Sequence, residues 1–149
     1  MNFKQKVHEQ YSQLLQDKID VFRDMITTLT EDSQNDAKGS AGDKHETALS
    51  MMHIEQEKLN NKLQEFVAQK ELLQKIDIDQ SSEKIALGSV VKVNNLWLFV
   101  STALPKITVE NRTIIAVSTQ SPLGSNLLGK AVDYSFEIHG TTYQIEEIL

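Results

Sequence analysis

The chain has 149 residues and a formal net charge of -6. This charge argues against a protein that binds nucleic acid by neutralising its phosphates. It contains no cysteine, which excludes disulfides, zinc–thiolate sites and thiol nucleophiles. With no cysteine to suggest an oxidising compartment, we expect a cytoplasmic protein. No apolar run approaches the roughly 18 residues of a membrane span, so we expect no membrane segment.

The first predicted element is a long helix from Phe3 to Leu29. Its apolar residues recur with the 4-3-4-3 spacing of a helix that packs along one other helix. The members of this seam are Tyr11, Leu15, Ile19, Phe22, Ile26 and Leu29. The spacing predicts one strand of a coiled coil.

A second seam of the same spacing follows, and its polar positions Gln56 and Lys70 are expected to set the register. Its apolar members are Leu49, Met52, Leu59, Leu63, Phe66 and Leu73. Between the seams, Glu31–Gly42 is rich in turn formers, so we predict that the first helix ends there and the second begins. The result is an antiparallel hairpin with arms of about 40 Å.

The predicted hairpin tip, near residues 31–46, is acidic. It holds the acids Glu31, Asp32, Asp36, Asp43 and Glu46 and the bases Lys38 and Lys44. Asp43 and Glu46 share one face of the opening helical turn, close enough to hold one hard cation or one water. The same pair fits a capping box, with Asp43 as the N-cap and Glu46 at N3. The spacing leaves both interpretations open.

After Ile76 the sequence passes through a polar linker and then alternates with period two, which predicts strands. The predicted strands are Lys84–Val93, Leu96–Ser101, Thr113–Ser118, Val132–His139 and Thr142–Ile148, with Asn94–Asn95 as a tight turn. Ser121 and Pro122 predict the N-cap and first position of a short helix. We therefore predict an α+β protein: an N-terminal antiparallel α-helical coiled-coil hairpin over residues 1–78, then a small antiparallel β-sheet domain over residues 79–149.

The runs Gly42–Ala48 and Ser121–Lys130 resemble two motifs of the Gre-type bacterial transcription elongation factors (GreA/GreB-like), which promote transcript cleavage. The run Gly42–Ala48 is similar to the family's tip pattern Gly-Asp-Leu-x-Glu-Asn-Ala, and Ser121–Lys130 is similar to a strand–helix–strand pattern of its carboxy-terminal domain. The chain departs from the family's tip pattern at Thr47, Leu49 and Ser50.

The resemblance implies an FKBP-like fold for residues 79–149, and this fold is no argument for prolyl isomerase activity. It implies that this domain binds bacterial RNA polymerase, with Ser121 and Pro122 as candidate contacts, although capping explains the same two residues. The coiled coil would enter the polymerase secondary channel. There Asp43 and Glu46 would be the catalytic residues, ligating a Mg²⁺ shared with the polymerase and stimulating cleavage of backtracked RNA. The chain itself would be no enzyme and hold no tightly bound cofactor.

Alternatives stay open beside this interpretation. The chain could be a non-cleaving secondary-channel regulator, or its coiled coil could serve only for oligomerisation; we expect a monomer. Nascent RNA and DNA would be met only within the elongation complex. The strong bases of the first arm are Lys4, Lys6, Lys18 and Arg23, so a basic surface to guide extruded RNA is thin. His45 and His53 lack the three or four converging ligands of a zinc site.

Overall fold

Two long helices form the first half of the chain. The structure is a computed structural model that describes residues 1–39 and 43–149, apart from the side chains of residues 33, 35–39 and 43–46. Helix α1 spans Phe3–Gly39 and helix α2 spans Asp43–Gln74. The break predicted from Glu31 onward lies further along the chain, because α1 continues to Gly39. Polar residues cost a helix less than glycine does, so the helix persists until a glycine.

Residues 13–70 form one of two compact units, and contacts between its helices fix their direction. The rings of Phe22 and Phe66 meet edge to face at 5.2 Å, the Gln56 side-chain amide donates to the Thr30 hydroxyl at 2.9 Å, and Lys70 donates to Gln16. In these three contacts, residues 16, 22 and 30 of α1 meet residues 70, 66 and 56 of α2, so the helices are antiparallel. Both polar seam positions bond across the pair, as expected for residues that set register. Supercoiling into a coiled coil stays a prediction.

The second unit combines residues 1–12 with residues 71–149 and contains a six-stranded sheet. The strands are β1 (Val90–Val93), β2 (Leu96–Ser101), β3 (Ile107–Val109), β4 (Arg112–Ser118), β5 (Ser135–Ile138) and β6 (Thr141–Ile148), and a short helix α3 (Pro122–Leu127) follows β4. The order across the sheet is β3-β4-β2-β1-β6-β5. The α+β class is confirmed. An FKBP-like fold stays a prediction.

The sheet is mixed, so the prediction of an antiparallel sheet is wrong for one pair of strands. β2 and β4 are parallel, with Leu98 opposite Ile115, whereas the other neighbouring strands are antiparallel. The reason is β3, which the sequence analysis missed because three residues show too little alternation. After β2 the chain forms β3 at the edge of the sheet. The next strand, β4, lies between β3 and β2 and is antiparallel to β3 and parallel to β2.

Left-handed backbone positions set the strand ends. Asn94 and Asn95 have φ of 50° and 65°, the pattern of a type I′ turn, which confirms the predicted hairpin. The first predicted strand is shorter than expected, because Gly88 has φ of 94° and interrupts the extended chain before β1. A Cβ there would lie 2.4 Å from Ile76. Asp133, with φ of 76°, delays β5 in the same way.

The first turns of α1 pack with the sheet. Tyr11, predicted as a seam residue, is fully buried and stacks on Phe99 of β2 with ring centroids 5.6 Å apart. Phe3 meets Trp97 edge to face at 5.3 Å, and the Arg112 guanidinium lies over both rings. Packing thus groups these turns with the sheet. The division into domains of residues 1–78 and 79–149 stays a prediction. The assignment of separate roles to the two predicted domains stays a prediction.

Eight buried side chains of the sheet unit pack together as one hydrophobic cluster. They are Ile85, Val91, Val93, Leu98, Val100, Val117, Leu127 and Ile145. Leu127 comes from α3, so burial of this residue holds the short helix against the sheet. In the part of the chain that the structure describes, no helix is long and apolar enough to cross a membrane.

Candidate functional site

The backbone places Asp43 and Glu46 at the closed end of the helical hairpin. α2 begins at Asp43, four residues after the end of α1 at Gly39, and Glu46 is the fourth residue of the helix. The first turn of a helix has free N–H groups and the positive end of the dipole, which favour acidic residues. The side chains of both acids lie outside the described residues, so the capping bonds and the metal ligation stay predictions.

A metal site made by this chain alone has no support among the described side chains. No group of three or more His, Asp or Glu side chains comes together there. This absence does not cover Asp43, His45 or Glu46, whose side chains lie outside the described residues. Two carboxylates one helical turn apart suit a hard cation in donor type but are fewer than the six ligands of Mg²⁺. A magnesium ion held by this pair would therefore need ligands from a partner.

Ser121 and Pro122 begin helix α3 as predicted. Ser121 is the N-cap, and its hydroxyl accepts the Gly124 N–H at 3.0 Å and donates to the Ser118 carbonyl at 2.7 Å. Pro122 occupies the first helical turn and its side chain is exposed. The capping interpretation of both residues is confirmed. Contact with a partner stays a prediction, and the exposed surface of Pro122 is better placed for it than the internally bonded Ser121 hydroxyl.

Gly124 is a residue of this segment that sequence reasoning passed over. A Cβ at this position would lie 1.9 Å from the Ser118 carbonyl oxygen, so only glycine allows α3 to approach the end of β4 this closely. The available signal was a glycine inside a six-residue helix, where glycine is disfavoured without a packing reason. Gly124 therefore fixes how the exposed Pro122 is presented.

Lys4, predicted as a surface base of the first arm, is buried. The residue is only 8% exposed, and its ammonium donates to the Gln80 carbonyl at 2.8 Å. Burial lowers the pKa of Lys4, and the nearby charges of Asp77 and Asp79 oppose that shift. The lysine therefore attaches the linker to the first turn of α1 and does not present its charge to solvent.

Two further bases of α1 also have partners. Lys6 forms an ion pair with Glu110 at 2.5 Å, and its hydrogen bond and positive charge lower the pKa of that carboxyl. The Lys18 ammonium lies 5.4 Å from the centre of the Phe66 ring, within range of a cation–π interaction. Arg23 is exposed. The basic surface of this arm is thus thinner than its sequence suggests.

Comparisons with known proteins add little to this geometry. No protein-family model matches the chain, and no curated protein matches it. A solved structure similar to it is that of GreA factor homolog 1 of Thermus thermophilus, with 16% sequence identity and a TM-score of 0.35 over 93% of this chain and 94% of that one. A TM-score this low supports no inference about fold or function. Membership of a family therefore stays a prediction from the motifs at residues 42–48 and 121–130.

Proposed function

We propose that this chain is a bacterial transcription elongation factor that stimulates cleavage of backtracked RNA by RNA polymerase. Residues 79–149 bind the polymerase, and the helical hairpin enters its secondary channel. The observation that carries the proposal is the position of Asp43 and Glu46 in the first turn of α2, where two antiparallel helices join. The motif similarity of residues 42–48 and 121–130 to Gre-type factors supplies the identity of the partner.

The chemistry of the pair fits a supporting role. Asp43 and Glu46 offer carboxylate oxygens, which Mg²⁺ prefers, but too few to hold the ion without a partner. A magnesium ion shared with the polymerase would activate a water for in-line attack on the RNA phosphodiester. The contribution of this chain is to bring the two carboxylates to that centre on a helix end. The polymerase cleaves the RNA, and this chain is no enzyme.

A cleavage assay with purified, backtracked bacterial RNA polymerase and Mg²⁺ tests the proposal. The variant Asp43→Asn/Glu46→Gln keeps the size and much of the capping ability of both side chains while it removes both negative charges. We expect the stimulated cleavage rate to fall at least about tenfold, because loss of metal-binding groups has effects of this size or larger.

A matched control separates ligation from net charge. Glu137→Gln/Glu147→Gln removes the same charge from exposed positions of β5 and β6 and should leave cleavage unchanged. All three proteins are compared at equal occupancy on the polymerase. If wild type binds the polymerase and yet fails to stimulate cleavage, the catalytic role of Asp43 and Glu46 is refuted.

A non-cleaving secondary-channel regulator is the second candidate, and the bases of α1 favour it. Lys4, Lys6 and Lys18 have partners within the chain, which leaves little charge to guide extruded RNA. On this alternative, wild type and the double variant both slow nucleotide addition and neither stimulates cleavage. Elongation rates measured on the same polymerase complexes discriminate between the two functions.

A further inference from the structure

An open groove lies between α1 and α2 within the hairpin. Its volume is about 450 Å³, and its apolar lining includes Val21, Met25, Leu29 and Leu59. Val21 is 54% exposed and Met25 is 45% exposed, although both are apolar. Val21, Met25 and Leu29 are spaced four residues apart and form a stripe along one helix face. Contiguous apolar surface of this kind marks an interaction site more often than isolated exposed residues do.

The rim of the groove is acidic. Asp24 and Asp32 contribute carboxylates from α1, and Glu55 contributes one from α2. Among the described residues that line the groove there is no lysine or arginine. The rim would repel nucleic-acid phosphates, anionic lipids and a second copy of the same groove, and it would attract a cationic ligand.

We propose that this groove docks a lysine- or arginine-rich amphipathic helix of a protein partner. A cleft between two antiparallel helices is suited to a third helix, whose apolar residues at i, i+3, i+4 and i+7 enter the cleft. Basic residues flanking that apolar face would meet Asp24, Asp32 and Glu55. The proposal is independent of the proposed function, because it requires neither the polymerase nor Asp43 and Glu46.

Fluorescence anisotropy with synthetic peptides tests the occupant directly on the full chain. The probe is a fluorescein-labelled helix of about 18 leucine and lysine residues, or five turns, with the leucines on one face. One comparison peptide has the same residues in scrambled order, and another has glutamate for lysine. We expect the ordered leucine–lysine helix to bind more tightly than both, with an affinity that falls as salt rises.

Variants of the groove locate the binding. Asp24→Asn/Asp32→Asn/Glu55→Gln should weaken binding of the ordered peptide about tenfold, through three lost charge pairs. Met25→Gln, which makes the apolar lining polar at an exposed position, should also weaken it. The control Asp133→Asn/Glu137→Gln/Glu147→Gln changes net charge equally outside the hairpin and should bind as wild type does.

Three outcomes would overturn the proposal. The first is equal binding of the ordered and scrambled peptides, which would reduce the interaction to general charge attraction. The second is a control variant that loses as much affinity as the groove variant. The third is a dimer in solution that Met25→Gln dissociates, since a second copy would then be the occupant. Circular dichroism of each variant establishes that the helices are intact.

Discussion

At the scale of single residues, Tyr11 shows how burial creates a pH-dependent contribution to stability. Its hydroxyl donates to the Pro105 carbonyl at 2.7 Å. Burial raises the pKa of Tyr11 from 10.0 to about 12, against the opposing effect of a backbone hydrogen bond from Ala116. Between those values the folded state holds a proton that the unfolded state has lost. The contribution of Tyr11 to stability is therefore complete below about pH 10 and declines as pH rises toward about 12.

Tyr11→Phe should remove this dependence. At neutral pH we expect the variant's unfolding free energy to be about 1 kcal/mol lower than that of wild type, because the hydrogen bond is lost. Above pH 10 this difference in unfolding free energy should narrow, because only wild type loses the contribution of Tyr11. Urea denaturation across the alkaline range measures both effects, and the difference between the two proteins isolates Tyr11 from other titrating groups. Tyr134→Phe, at an exposed position, is the control. A gap that stays constant with pH would contradict this account.

At the scale of elements, the helical pair depends on a few large seam residues. Phe66 is 8% exposed, packs edge to face on Phe22, and lies beneath the ammonium groups of Lys18 and Lys62. Phe66→Ala should cost about 3–4 kcal/mol of unfolding free energy, the usual cost of removing a buried aromatic ring. Ile54→Ala on the same helix removes an exposed side chain and should change stability by about 0.5 kcal/mol or less. Chemical denaturation of both variants measures the contrast, and equal losses would refute a central role for Phe66.

These elements also show what periodicity can and cannot predict. The seam spacing predicted two helices, and the polar seam residues Gln56 and Lys70 do bond across the pair. Local pattern could not predict β3, because three residues do not define an alternation. It also could not predict the burial of Lys4, whose partner Gln80 is 76 residues away in the sequence. Contacts of that range depend on the tertiary fold and leave no local periodic signal.

At the scale of the whole molecule, the candidate site was predictable only in part. The motifs predicted two acids at the start of a helix and a capped short helix after a strand. The structure has Asp43 and Glu46 at the start of α2, and α3 is capped by Ser121. The sequence could not show that the Ser121 hydroxyl is occupied by two internal hydrogen bonds while Pro122 remains exposed. Under the proposed function, the segment at Ser121 and Pro122 determines polymerase binding, whereas Asp43 and Glu46 determine the cleavage rate.

This separation of roles leads to a prediction for Pro122→Ala. Alanine is compatible with a first helical turn, so the variant removes exposed surface and leaves the Ser121 cap in place. We expect the concentration for half-maximal cleavage to rise about fivefold, with the maximal rate unchanged, as for loss of one contact in an interface. Lys106→Ala, exposed in the same unit, should alter neither quantity. Asp43→Asn/Glu46→Gln should lower the maximal rate alone. A Pro122→Ala variant that lowers the maximal rate at saturation would contradict the separation, because a residue that acts only in binding cannot limit a saturated complex.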